Sequence, residues 1–182
     1  MESTYAPVLF AHSWLRWIVL VLLAVVVIRA VAGRGPWTAL DERLHAFGVS
    51  ALDLQLMLGL WLYVAASPLS HAFLTNPGGT MHDSVIRFYG LEHITMMILG
   101  VAVVHIGRAR SKRLGEGVVR RRTVLRWTAV GLLVILAGVP WPFLKAGRPL
   151  FRTGDTTVHR IGDYSARSTT SGSTLVAFRA GT

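Results

Sequence analysis

Long apolar runs alternate along this chain with short gaps crowded with arginine. A bilayer core of about 30 Å takes about 20 predominantly apolar helical residues. Four stretches meet that requirement: about Val8 to Ala32, Ala46 to Ala66, Tyr89 to Gly107 and Val124 to Leu144. The first contains the uninterrupted run Ile18 to Ile28. The second and third carry Asp53, Gln55, Glu92, His93 and His105. Such groups are rare against lipid and are expected to face the interior of a bundle. Pro140 and Pro142 are expected to close the fourth helix. Between the second and third runs, Asn76-Pro77-Gly78-Gly79 marks a turn cluster. From residue 153 the composition shifts to Ser, Thr and Gly, with one short apolar run, Leu175 to Phe178. The pattern predicts an all-α fold, with a four-transmembrane-helix domain over residues 1–152 and a largely irregular tail over residues 153–182.

Composition sharpens that picture. Of 182 residues, 52% are hydrophobic and 15% charged, against about 25% charged in a typical soluble domain. There is no cysteine, which excludes disulfides, thiolate metal sites, iron–sulfur clusters and the thioether attachment of c-type haem. The net charge is +10, but its placement points away from nucleic acid. Arg29, Arg34 and Arg43 fill the first gap, and Arg108, Arg110, Lys112, Arg113, Arg120, Arg121 and Arg122 fill the third. The segment before Val8 has no Lys or Arg, and the second gap has only Arg87. The positive-inside rule then predicts that both arginine-rich gaps face the cytoplasm and both termini lie outside, with membrane lipids among the partners. The N-terminus lacks the basic region of a signal peptide, so the first run is expected to be a permanent helix.

Depth sorts the seven histidines. His12 is the fifth residue from Val8 and His93 the fifth from Tyr89, and both helices enter from the outside. At 1.5 Å per residue the two lie at nearly one level. A level pair of imidazoles on two helices of a bundle is what a six-coordinate haem requires. A histidine near a membrane interface is also often only a hydrogen-bonding group, so the pairing carries the reading more than either residue does. Arg16, one turn from His12, and Arg87 are candidate partners for a haem propionate or a phospholipid headgroup, and Glu92 is a candidate to orient an imidazole. Gly90 and Gly100 would leave room for a flat macrocycle. His45 and His105 form a second candidate pair at the inner level. His93 and His105 are about 120° apart around the helix, which disfavours two stacked haems. His71, His82 and His159 are expected in solvated external segments. Asp53 and Gln55 suit a proton or quinone path or interhelical hydrogen bonds. Met96-Met97 is expected to pack, although methionine also serves as an axial ligand.

Several motifs recur in order: His12-Ser13-Trp14-Leu15-Arg16-Trp17, Leu54-Gln55-Leu56-Met57-Leu58-Gly59-Leu60-Trp61-Leu62-Tyr63, Arg87-Phe88 with Glu92-His93, His105-Ile106-Gly107-Arg108, Ala137 to Phe143, and Arg148-Pro149-Leu150-Phe151-Arg152. Over about residues 8–152 this resembles small bacterial four-helix membrane proteins usually catalogued as b-type cytochromes. The resemblance implies haem b, with His12, His93 and also His105 falling in the group's motifs. The sequence-level expectation is therefore a membrane-embedded haem b electron-transfer subunit, not an enzyme on its own, working with other membrane subunits and a candidate for quinone contact. The alternative is a cofactor-free accessory subunit of a larger respiratory or photosynthetic complex. A small transporter is disfavoured by the short chain and the lack of inverted repeats.

Overall fold

The computed structural model describes residues 2–115 and 117–151, so the tail and its His159 lie outside the described residues. Every regular element among them is helical: α1 (Glu2–Ala32), α2 (Ala39–Trp61), α3 (Pro68–Thr75), α4 (Pro77–Thr80), α5 (Ser84–Arg87), α6 (His93–Lys112) and α7 (Val118–Gly138). A π-helical turn over Leu62–Ala66 prolongs α2, and a second over Phe88–Glu92 leads into α6. With these turns included, three stretches are long and apolar enough to cross a membrane: Thr4–Ala32, Ala39–Ala66 and Ser84–Lys112.

The second span begins earlier than hydropathy alone predicts, because Thr38 and Asp41 form a capping box. Thr38 Oγ1 accepts the Asp41 amide at 3.2 Å, and Asp41 Oδ2 accepts the Thr38 amide at 3.0 Å. Asp41 and Glu42 in this first turn also complement the positive end of the helix. The fourth helix departs from expectation in the other direction. It runs Val118–Gly138 rather than Val124 to Leu144. Val139 is extended (φ −71°, ψ 134°) because Pro140 follows it, and the residue before a proline is pushed out of the helical region. Its arginine-free part beyond Arg126 spans only about 18 Å at 1.5 Å per residue.

The gap between the second and third spans is more ordered than a turn cluster. Three short helices follow one another, each started by a side-chain cap. Ser67 accepts the Ser70 amide, Asn76 the Gly79 amide, and Asp83 the Val85 and Ile86 amides. His71 and His82 in this segment are exposed.

The four long helices close a ring in the order α1, α2, α6, α7, with α1 and α6 across a diagonal. The α6–α7 contact is the most extensive and the α2–α6 contact the sparsest. One core takes residues from all four: Val19, Leu20 and Leu23 of α1, Val49 and Leu52 of α2, Val101 and Val104 of α6, and Ile135 of α7. The α6–α7 seam is lined by glycines seven residues apart on each helix. A Cβ on Gly107 would strike Trp127, on Gly131 Val104, on Gly100 Ile135, and on Gly138 Met96 at 2.6 Å. Small residues let two backbones approach closely where no hydrophobic effect drives helices together. Met97 packs on the same core, so the Met96-Met97 pair is a packing element.

At the arginine-rich end the carboxylate of Glu42 joins four segments. It accepts Arg108 Nη2 at 3.0 Å, Arg120 Nη2 at 2.7 Å and the Trp37 indole N–H at 3.2 Å. Beside it Arg29 donates to Asp41 at 2.6 Å. Arg121, 6% exposed, donates to the carbonyls of Gly33 and Pro36 in the α1–α2 connection. Charged groups at this end are therefore folded into the protein by mutual pairing and by backbone acceptors.

Candidate functional site

At the opposite end the diagonal helices bring His12 and His93 together. Their ring centroids lie 6.5 Å apart with the planes at 79°. His12 projects from α1 onto α2, where the missing side chain of Gly59 makes room: a Cβ there would sit 3.1 Å from His12 Cε1. Gln55, one turn earlier on α2, donates from Nε2 to the His12 carbonyl at 3.0 Å and lies 3.3 Å from His12 Nε2. Gln55 belongs to this site rather than to a separate path through the bundle. Its Oε1 and His12 Nδ1 are both buried with no hydrogen-bond partner. Buried polar atoms are rarely left so.

His93 starts α6, immediately after the π-helical turn. Its Nδ1 lies 2.7 Å from the carbonyl of Gly138, the last residue of α7. A carbonyl only accepts, so Nδ1 carries the proton, and in the neutral ring Nε2 keeps its lone pair. The same bond satisfies one of the carbonyls that every helix C-terminus leaves without an internal partner. Phe88 and Tyr89 flank the ring, with centroids 5.9 and 6.2 Å away.

After α7 the chain turns back over this end. The Arg148 amide donates to Pro140 O at 3.1 Å, closing a loop in which Gly147 faces the carbonyls of Trp141, Pro142 and Leu144. The loop places Arg148 over the Tyr89 ring, 4.4 Å from its centroid, with Nε donating to the Tyr89 hydroxyl at 2.7 Å. Tyr89 in turn donates to Ala146 O at 2.7 Å. Arg16 and the Trp17 indole both donate to Leu150 O at 3.0 Å. Arg16 and Arg148 lie within electrostatic reach of each other and of both histidines.

The other residues singled out by sequence are elsewhere. Arg87 donates to Glu92 at 2.7 Å and to Met81 O at 3.1 Å, an exposed pairing that occupies both residues. His105 Nε2 is 2.6 Å from Asp53 Oδ1 on the outer surface between α2 and α6, with both side chains nearly half exposed. His45 is fully buried at the arginine-rich end, edge-on to Trp37 at 6.3 Å, and neither ring nitrogen has a hydrogen-bond partner. The space at Gly90 is taken by Phe73 and that at Gly100 by Ile135. Neither is the flat cradle the sequence suggested.

No family model, curated protein or solved structure matches this chain. The site therefore stands on its own geometry. Among the described residues no group of three or more His, Cys, Asp or Glu side chains converges as a metal cage. The donor set at this end is instead two imidazoles and an amide, with two guanidinium groups beside them.

Proposed function

We propose that this chain is a membrane-embedded electron-transfer subunit that binds haem b between His12 and His93. The observation that carries the reading is the juxtaposition of these two rings across the bundle. His12 and His93, with ring centroids 6.5 Å apart on facing helices, are the residues that would hold the haem iron. The bond from His93 Nδ1 to Gly138 O supports it further, because an outer hydrogen bond of this kind fixes a ligating imidazole's tautomer and orientation. His12 Nδ1 and Gln55 Oε1 also lack the partners that a bound group or its water would supply. When bound, haem supplies one-electron redox chemistry at iron. The chain's own part would be to bring two imidazoles together, keep Nε2 of His93 unprotonated and exclude bulk water with Phe88 and the core beneath.

In this reading α7 is the fourth membrane helix, both termini lie outside the cytoplasm, and the arginine-rich end faces the cytoplasm of a bacterial cell. Because the chain has no cysteine, single-cysteine variants report sidedness directly. Cysteine in place of exposed His82 is expected to react with an impermeant maleimide on intact spheroplasts. Cysteine in place of exposed Arg113 is expected to react only after permeabilisation. The reverse pattern would invert the topology.

The cofactor is tested by a dithionite-reduced minus oxidised spectrum of the purified protein, with pyridine haemochrome quantification. About one haem b per chain is expected, and its loss in both His12→Ala and His93→Ala. A folded, colourless protein from cells supplied with haem would end this reading. One observation favours the cofactor-free accessory alternative: the Asp53–His105 pair stands half exposed on a lateral face where lipid is a poor environment for it. A neighbouring subunit covering α2 and α6 would relieve that cost. In that case the purified protein is colourless, and Asp53→Leu releases it from its complex.

A further inference from the structure

Arg16 and Arg148 are a second unexplained feature of the histidine end. The arginines withdrawn at the other end have acceptors that answer their charge or their donors: Arg108 and Arg120 share Glu42, and Arg121 has two backbone carbonyls. Arg16 and Arg148 come from α1 and from the loop after α7, and they converge. Arg16 donates to the carbonyl of Leu150, two residues from Arg148, and lies over the Trp17 ring, while its Nε is buried with no hydrogen-bond partner. Arg148 donates to two neutral phenols, those of Tyr89 and Tyr5. Among the described side chains no carboxylate pairs with either of them; Glu92, at the same end of the bundle, is held by Arg87. Two guanidinium groups brought together in a partly buried site repel each other and lose solvation. An arrangement of that kind is normally closed by an anion.

We infer that Arg16 and Arg148 form a clamp for an oxyanion, a carboxylate or a phosphate, at the histidine end of the bundle. Guanidinium groups suit such a ligand because each presents several N–H donors in one plane, matching two oxygens at once. The Pro140 to Arg148 turn holds one jaw, Tyr89 sets its height through the hydroxyl and the ring face, and Leu150 O holds the other jaw. Arg87, the partner that sequence spacing suggested beside Arg16, is replaced in this role by Arg148. The inference deepens the haem reading in one respect, since haem carries two carboxylates. It does not depend on that reading, because a phospholipid phosphate or a free anion has the same chemistry.

Three arms of one experiment separate these sources, using the full chain in detergent or nanodiscs. The first titrates apo-protein with haem and with haem dimethyl ester, read by tryptophan quenching as well as by absorbance. Carboxylate capture is expected to favour haem by at least about tenfold, the worth of one charge-assisted hydrogen bond, and Arg148→Gln is expected to shrink that preference toward unity. The second compares thermal midpoints in phosphatidylglycerol and phosphatidylcholine nanodiscs, and the third adds inorganic phosphate in detergent. Stabilisation by either phosphate source that disappears in Arg148→Gln assigns the clamp to that source. Arg148→Lys keeps the charge without the planar fork and is expected to fall between the two in whichever arm responds. If Arg148→Gln does not fold, the acid-against-ester ratio and the phosphate responses of the wild-type protein decide the matter. If the wild-type protein distinguishes neither haem from its ester nor anionic from neutral lipid, and ignores phosphate, the clamp is wrong. A chain that binds no haem yet responds to phosphatidylglycerol would refute the cofactor and keep the clamp.

Discussion

Glu42→Gln is expected to lower the stability of the purified protein by about 2–4 kcal/mol, read as a fall in the thermal midpoint or in the detergent-unfolding midpoint. The substitution keeps the shape of the side chain and removes only its charge. Arg108 and Arg120, whose side chains are 16% and 15% exposed, would then face a neutral amide with one acceptor oxygen. Their residual charges, already partly desolvated, would repel each other. A partly buried pair loses most from the removal of one partner, because the other charge remains. Three segments lose their common anchor, since Trp37, α6 and α7 all meet at this carboxylate. Asp53→Asn is the control. It breaks an exposed pair and is expected to cost under about 1 kcal/mol in detergent. Adding Arg108→Gln to Glu42→Gln should cost less than Arg108→Gln costs alone, the signature of coupled residues. Equal stability of Glu42→Gln and the wild type would show that the three donors have other acceptors.

Gly107→Leu is expected to be more damaging still, because it forces apart the closest contact in the bundle. The position of a Cβ on Gly107 is already occupied by Trp127. Even Gly107→Ala must move α7 or the indole, and overpacking of this kind typically costs about 1–3 kcal/mol. Leucine adds three more carbons in the same direction, so a poorly folded or aggregated product is expected, visible as a broadened gel-filtration profile and a lost thermal transition. The movement would not stay local. Gly138 lies on the same α6–α7 seam and supplies the carbonyl that orients His93. If haem binds as proposed, Gly107→Ala should therefore also shift the haem spectrum or its midpoint potential, while Gly35→Ala, which meets nothing within 4 Å, should do neither.

Much of the fold was legible because lipid imposes a coarse rule: about twenty apolar residues, flanked by arginine. That rule located three crossing-length helices and the level placement of His12 and His93. It failed where local chemistry outweighs hydropathy. Thr38 and Asp41 begin α2 well before its apolar run, and Pro140 ends α7 at Gly138 although Val139 to Leu144 reads as apolar. Both signals were present, in a capping box and in a residue preceding proline. Ser67, Asn76 and Asp83 likewise announced three short helices. The partners of the histidines were harder to see. Arg148 lies far from His12 in the chain and is brought within electrostatic range of it only by a turn, and Gly138 contributes a backbone carbonyl, which no side-chain pattern reveals. Arg87 and Gly90 looked plausible by spacing, but Glu92 and Phe73 claim them first.

The same network that holds the arginine-rich end together also changes how that end meets its surroundings. A basic flank helps orient a chain while it is still being threaded into the bilayer, when every arginine is available. Once the helices assemble, Arg108, Arg120 and Arg121 are withdrawn into contacts with Glu42 and backbone carbonyls, and Arg29, still exposed, pairs with Asp41. Arg34, Arg43, Arg113, Arg122 and Arg126 stay on the surface. Inserted as proposed, the finished protein thus shows the membrane a weaker positive field than its sequence advertises, since four of the eleven basic residues from Arg29 to Arg43 and from Arg108 to Arg126 are engaged in these contacts.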